Sequence, residues 1–234
     1  MYARQSGLIA TPYAPLMFTI HLMLKPVIKG HDDAVAILLA SQLENVVLLG
    51  ISTVHGNTTA EWTLKNAIRL VLAFAPNRPD IVVHPGAATP LLRAPRADPE
   101  IHGHGGLGGV VGLFDVNDEI VQTALARTQG LKAIEGLAEQ IRVASKTAEK
   151  ITIVATGPLT NIALFVSVYP ELIAGIEQIC FMGGGVGIGN RSAVSGTHFP
   201  HSSSQGSTPA LLQSSISFAT LRLHKSLLTQ TFLR

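Results

Sequence analysis

The chain has no acidic residue in its first 31 positions and none in its last 57; all 15 Asp and Glu lie between Asp32 and Glu177. An ordinary soluble domain spreads carboxylates over its surface, so the two ends differ in character from the middle. There is one cysteine, Cys180. That excludes a disulfide within the chain and fits a reducing compartment such as the cytoplasm. Cys180 sits in an apolar run and reads as a buried, inert thiol. Charged residues make up only 14% and the net charge is +2, which argues against a dedicated nucleic-acid binder with its basic stripe. No apolar run reaches the roughly 18 residues of a membrane helix. The segment Leu16 to Leu24 is interrupted by His21 and lacks a small-residue cleavage site, so it does not read as a signal peptide. Neither nucleic acid nor a membrane is an expected partner.

What is present is apolar and periodic. Hydrophobic residues are 47% of the chain and mean hydropathy is +0.35, enough for a sizeable core. Val46 to Thr53, Ile81 to His84, Ile151 to Ala155 and Ile176 to Met182 are short β-rich runs, as expected of strands buried on both sides. Between them the spacing predicts helices over Asp32 to Leu43, Thr59 to Phe74, Lys132 to Thr147 and from Ile162 to Val168. In the first of these, Ala34, Ile37, Leu38 and Ser41 fall on related faces. Strand and helix alternate at the spacing of βαβ units, which predicts an α/β fold with an open, mostly parallel sheet flanked by helices. Before Gly30 only Phe18 to Leu24 could form a strand. Residues 86–118 read as loop, including the run Ile101-His102-Gly103-His104-Gly105-Gly106-Leu107-Gly108-Gly109, whose histidines are either solvated or ligand-facing. Residues 195–234 hold nine serines and no strand–helix rhythm, and read as a tail without structure of its own.

The chemistry gathers in turns. Gly30-His31-Asp32-Asp33-Ala34 places two adjacent carboxylates where a glycine turn meets a helix. Such a pair serves either as a helix N-terminus, facing unpaired N–H groups and the dipole, or as part of a site for a hard cation. Further polar or glycine turns occur at Asn57, at Thr156 and over Met182 to Gly185. In open parallel sheets ligands bind beyond the carboxyl ends of the strands, so these turns are expected to converge on one small-molecule site.

Five blocks in this order carry a resemblance. They are Gly30-His31-Asp32-Asp33-Ala34-Val35-Ala36-Ile37; Gly50-Ile51-Ser52-Thr53-Val54-His55-Gly56-Asn57; Ile101-His102-Gly103 with Gly106-Leu107-Gly108; Thr156-Gly157-Pro158-Leu159-Thr160-Asn161; and Met182-Gly183-Gly184-Gly185 with Gly189-Asn190. Residues 30–194 thereby resemble the inosine–uridine preferring nucleoside hydrolases, leaving residues 1–29 and 195–234 as divergent ends. The resemblance implies hydrolysis of a ribonucleoside N-glycosidic bond to ribose and free base, through an oxocarbenium-like ribosyl species. It implies a Ca²⁺ ion that binds the ribose hydroxyls and the attacking water, and it allows a homo-oligomer. Asp33 then resembles a metal ligand and Asp32 a ribose-hydroxyl partner. Thr156 resembles the residue giving a backbone carbonyl to the metal. Asn57 and Asn190 match ribose-binding asparagines, Met182 a residue of the ribose pocket and His102 the histidine of a base-facing loop.

The sequence departs from the family pattern at both ends. The family's opening motif is Asp-x-Asp-Pro-Gly-x-Asp-Asp, and its two leading aspartates are replaced by Pro26 and Ile28. The second is a metal ligand and general base in the family, and isoleucine can be neither. The first strand is expected to be disturbed by Pro26. Past Val194 the sequence no longer follows the family, whose later third brings another metal-binding Asp. The expectation is a truncated, impaired hydrolase with an incomplete calcium site and no assigned catalytic residue. Two rivals remain: a non-catalytic relative that binds ribose or nucleoside, and a Rossmann-type dinucleotide binder suggested by Gly183 to Gly189, which lacks the acidic residue about 20 positions on.

Overall fold

The computed structural model describes residues 16–22, 32–92, 94–95, 102–128, 130–183 and 217–222, with backbone alone for 16–22, 32, 182–183 and 217–222. The elements are β1 (Leu16–Leu22), α1 (Asp32–Gln42), β2 (Val46–Thr53), α2 (Ala60–Phe74), β3 (Val82–His84), α3 (Glu119–Arg127), α4 (Ala133–Ser145), β4 (Ile151–Ala155), α5 (Thr160–Val168), a short 3₁₀ segment (Pro170–Gly175), β5 (Ile176–Gly183) and β6 (Ser217–Arg222). The strands form one sheet in the order β3-β2-β1-β4-β5-β6. The first five are mutually parallel, and β6 runs antiparallel to β5.

Each face of the sheet carries its own core. On one, Ala34 and Ile37 of α1, the stripe Ala67, Ile68, Leu70 and Val71 of α2, and Val121 of α3 cover Leu48 and Ile51. On the other, Leu137, Ala138, Ile141 and Ala144 of α4 and Ile162 and Phe165 of α5 cover Ile151, Ile153 and Ile179. Strands buried on both faces have to be apolar throughout, which is why β2 and β4 were legible as continuous runs. The ladder between β1 and β2 shifts at Phe18/Thr19 and skips Leu49. Gln140 of α4 donates to the Leu49 carbonyl (3.2 Å), and a side chain at Gly50 would fall on that same Gln140 amide.

α2 begins as its sequence requires. Thr59 takes extended geometry and its hydroxyl accepts from the Trp62 N–H (3.3 Å), while Glu61 and Lys65 pair one turn apart (2.6 Å). In α1, Leu38 is exposed rather than on the core face with Ala34 and Ile37. Cys180 on β5 is half-buried, not buried.

Two expectations need correction. The first strand is present: β1 lies at the centre of the sheet, pairing with both β2 and β4, and Pro26 falls four residues beyond its end. Inside the segment expected to lack structure, Ser217–Arg222 forms β6, and its pairing covers the outer edge of β5 over Gln178–Gly183. Helix α3 covers residues given no assignment from sequence, and packs Val121, Ala124 and Leu125 against the first core.

The fit of α4 on β3 rests on one missing side chain. A Cβ at Gly136 would stand 2.6 Å from three ring atoms of His84. Gly136→Ala is therefore expected to destabilise the protein by about 1–3 kcal/mol through overpacking, despite alanine's better helix propensity. The loss should shrink in the His84→Ala background, as read from urea unfolding midpoints.

Candidate functional site

The sheet's carboxyl edge carries the start of α1 and the turns that follow β2, β3 and β4. Strand order reverses between β1 and β4, and at such a switch point the following turns diverge and leave a crevice. Asp33, in the first turn of α1 after β1, is buried at 1% exposure. Thr156, the first residue past β4, is buried at 6%. These two flank the reversal.

A set of buried side chains ties the turns together. The His55 ring, after β2, bonds the Thr160 hydroxyl at the start of α5 (Nε2···Oγ1 3.1 Å). Asn161 donates to the Thr53 carbonyl (2.8 Å) and accepts from the Ala87 N–H (2.9 Å). The Ala87 carbonyl in turn accepts from the His55 N–H (2.9 Å). Gly86 has no room for a side chain, because a Cβ would meet the Thr53 carbonyl and the Asn161 amide. The turns after β2, β3 and β4 thus form one hydrogen-bonded unit.

The glycine loop joins the same edge. The Thr58 hydroxyl donates to the His104 carbonyl (3.0 Å), and the Asn66 amide on α2 donates to the Gly105 carbonyl (2.5 Å). Gly106, at φ +81°, lies against the Thr58 methyl, where a Cβ would come within 2.6 Å. Residues other than glycine rarely take that φ. His102 is buried at 4% exposure and His104 is exposed, so the solvated reading fails for the first histidine and holds for the second.

Of the site residues expected from the sequence, Asp33, Thr156, Asn57 and His102 are described with side chains, and their chain segments lie at this edge; Asn57 is half-buried. Asp32 opens α1 and Met182 lies near the end of β5, both described by backbone alone. Asn190 lies outside the described residues. Pro26 and Ile28 do too. The residues given no role from sequence were His55, Thr58, Asn66, Thr160 and Asn161. The signal was their position: His55 and Thr58 stand in the turn directly following β2, and Thr160 and Asn161 open the helix after the β4 turn.

Comparison with known proteins decides the ancestry. The sequence model of the inosine-uridine preferring nucleoside hydrolases matches residues 29–197. The chain belongs to that family. It is 41% identical over 161 residues to an uncharacterized protein of Schizosaccharomyces pombe, covering 69% of this chain and 44% of the relative. It is 40% identical over 161 residues to the pyrimidine-specific ribonucleoside hydrolase RihA of Shewanella baltica, covering 69% of this chain and 46% of that enzyme. The chain therefore spans less than half the length of these relatives. Among solved structures, a plant nucleoside hydrolase superposes with TM-score 0.58 at 29% identity, over 75% of this chain and 50% of the other. The purine-preferring ribonucleoside hydrolase of Gardnerella vaginalis superposes with TM-score 0.59 at 24% identity, over 74% and 50%. The fold is that of the nucleoside hydrolases. A dinucleotide site would need its glycine fingerprint in the turn after β1, and Met23 to His31 contains only Gly30.

Nucleoside hydrolases are metal-dependent in general, so the donor set can be tested. Among the described residues no three His, Cys, Asp or Glu side chains gather in a group able to hold a metal ion. The candidates are the Asp33 carboxylate and the Thr156 carbonyl, against the 6–8 oxygens a calcium ion takes. With isoleucine at position 28, these residues do not fit a calcium site on their own. No helix among the described residues is long and apolar enough to cross a membrane. A cavity of about 300 Å³ between Ile68, Leu72, Ile81 and Ala124 lies beside the start of β3, away from these turns, and is mainly apolar.

Burial pushes both His55 and His84 below the usual histidine value of 6.5. At His84 the Leu131 carbonyl and the Glu135 charge partly oppose that shift. Both rings are held neutral in the fold, whereas the unfolded chain takes up protons below about pH 6.5. Their contribution is fully present above that pH and is lost as pH falls towards the lower folded values. Urea midpoints are expected to fall on acidification from pH 7.5 to 5.5. Glu135→Gln should lower the His84 value further, as read by NMR titration.

Proposed function

We propose that the chain is a ribosyl-binding nucleoside hydrolase in which N-glycosidic bond cleavage is impaired. The observation that carries this reading is the edge itself: buried Asp33 and Thr156 flank the strand reversal, and Asn57 stands in the turn tied to that of Thr156. Asparagine amides and aspartate carboxylates are the groups that hold a ribose, since each hydroxyl both donates and accepts. In this reading Asp32, Asn57 and Asn190 bind the ribose hydroxyls, Met182 lies against the sugar and His102 faces the base. The substrate is a ribonucleoside.

Cleavage needs a base to activate water and negative charge beside the oxocarbenium-like ribosyl ring. Asp33 can supply charge. At position 28 isoleucine supplies neither proton acceptance nor a metal oxygen, so calcium, the ion expected by resemblance, would be held weakly. A non-catalytic ribose binder is the limiting case of the same site. The single cysteine fits a reducing compartment, and we propose a cytoplasmic place with it.

Calorimetry with ribose and Ca²⁺, beside inosine and uridine hydrolysis with and without chelator, tests the reading. Ribose binding with reducing-sugar release at least about a thousandfold below the Pro26→Asp, Ile28→Asp double variant is expected, the scale of losing a general base together with transition-state stabilisation. No ribose binding by either protein would overturn it. Brisk hydrolysis by the unaltered chain would overturn the impairment.

A further inference from the structure

β1 lies between β2 and β4, so no backbone ladder joins the strands that carry Asn57 and Thr156. Their turns start about 10 Å apart, two strand spacings. Side chains span that gap over the end of β1. From the β2 side, the His55 ring reaches Thr160. From the β4 side, Asn161 reaches back to the Thr53 carbonyl. Both then meet the β3 turn at Ala87, one through the backbone N–H and the other through its side-chain oxygen. His55 is 6% exposed and Asn161 2%, so neither pair is diluted by water. The bare Gly86 completes the fit, since any side chain there would displace the Asn161 amide.

We propose that His55 and Asn161 are positioning residues: a reciprocal brace that sets the spacing between the Asn57 turn and the Thr156 turn, and so shapes the ribosyl site. The inference rests on the ribosyl-binding reading for its functional half. Its physical half stands on the bonds alone. His55 is two residues from Asn57, and Asn161 is five from Thr156, so movement at either brace residue is passed to a site residue through one short turn. Misplacement of about 1 Å is enough to disable a positioned site.

The test uses the full chain with His55→Ala, His55→Gln, Thr160→Val and Asn161→Ala. Amide hydrogen exchange is followed by mass spectrometry, and ribose affinity by calorimetry. His55→Ala and Thr160→Val are expected to speed exchange about tenfold in both 54–58 and 156–160, the scale of one lost buried hydrogen bond. Exchange across Leu48 to Ile51 should stay slow. His55→Gln, whose amide nitrogen takes the place of Nε2, should restore protection. Ribose affinity should fall about tenfold in His55→Ala and Thr160→Val and return in His55→Gln, at an unchanged fraction folded. Faster exchange confined to 54–58, or spread evenly over the sheet with affinity tracking the folded fraction, would overturn the brace. Should Asn161→Ala not fold, the Thr160→Val and His55→Gln pair still decides the matter. A chain that binds no ribose would overturn the ribosyl reading, while the exchange pattern would still judge the brace.

Discussion

A parallel sheet with its first strand in the middle holds the strands of its crevice apart. Main-chain hydrogen bonds fix β1 against β2 and against β4, but end at Thr53 and Ala155. Beyond those residues the three turns that follow β2, β3 and β4 have no ladder to align them. Their arrangement depends on His55 with Thr160, and on Asn161 with Thr53 and Ala87. Such bonds are strong here because they are buried, and each would leave an unsatisfied group if broken.

The same edge sets the polar groups of several turns side by side. It gathers buried Asp33 and Thr156 at the reversal, the half-buried Asn57, and a glycine loop pinned by Thr58 and by Asn66 of α2. Among the described residues its donor set for a divalent cation is short. Removing one carboxylate from such a ring withdraws both a ligand and a proton acceptor, while the packing around the ring needs neither. The fold therefore does not depend on a complete cation site.

Chemically identical residues serve the fold and the crevice side by side. His84 is kept neutral by burial under Gly136, at a register position beside Ser52 of β2. It belongs to the fit of α4 on the sheet. His55, also kept neutral, belongs to the crevice. Their sequence contexts, each a histidine at the end of a β-rich run, do not tell them apart.

Composition and period determined a good deal. Runs such as Val46 to Thr53 and Ile151 to Ala155 read as doubly buried strands because they are short, bounded by turns and rich in β-branched residues. The helices between them followed, and the five motif blocks carried the family. The central position of β1 and the strand Ser217–Arg222 were not legible, since each is held by partners distant in sequence rather than by its own pattern. The brace was equally hidden: His55 and Thr160 lie 105 residues apart. Local sequence states which groups a turn carries. Only the folded sheet decides which turns meet, because that depends on strand order, and strand order is a property of the whole packed core.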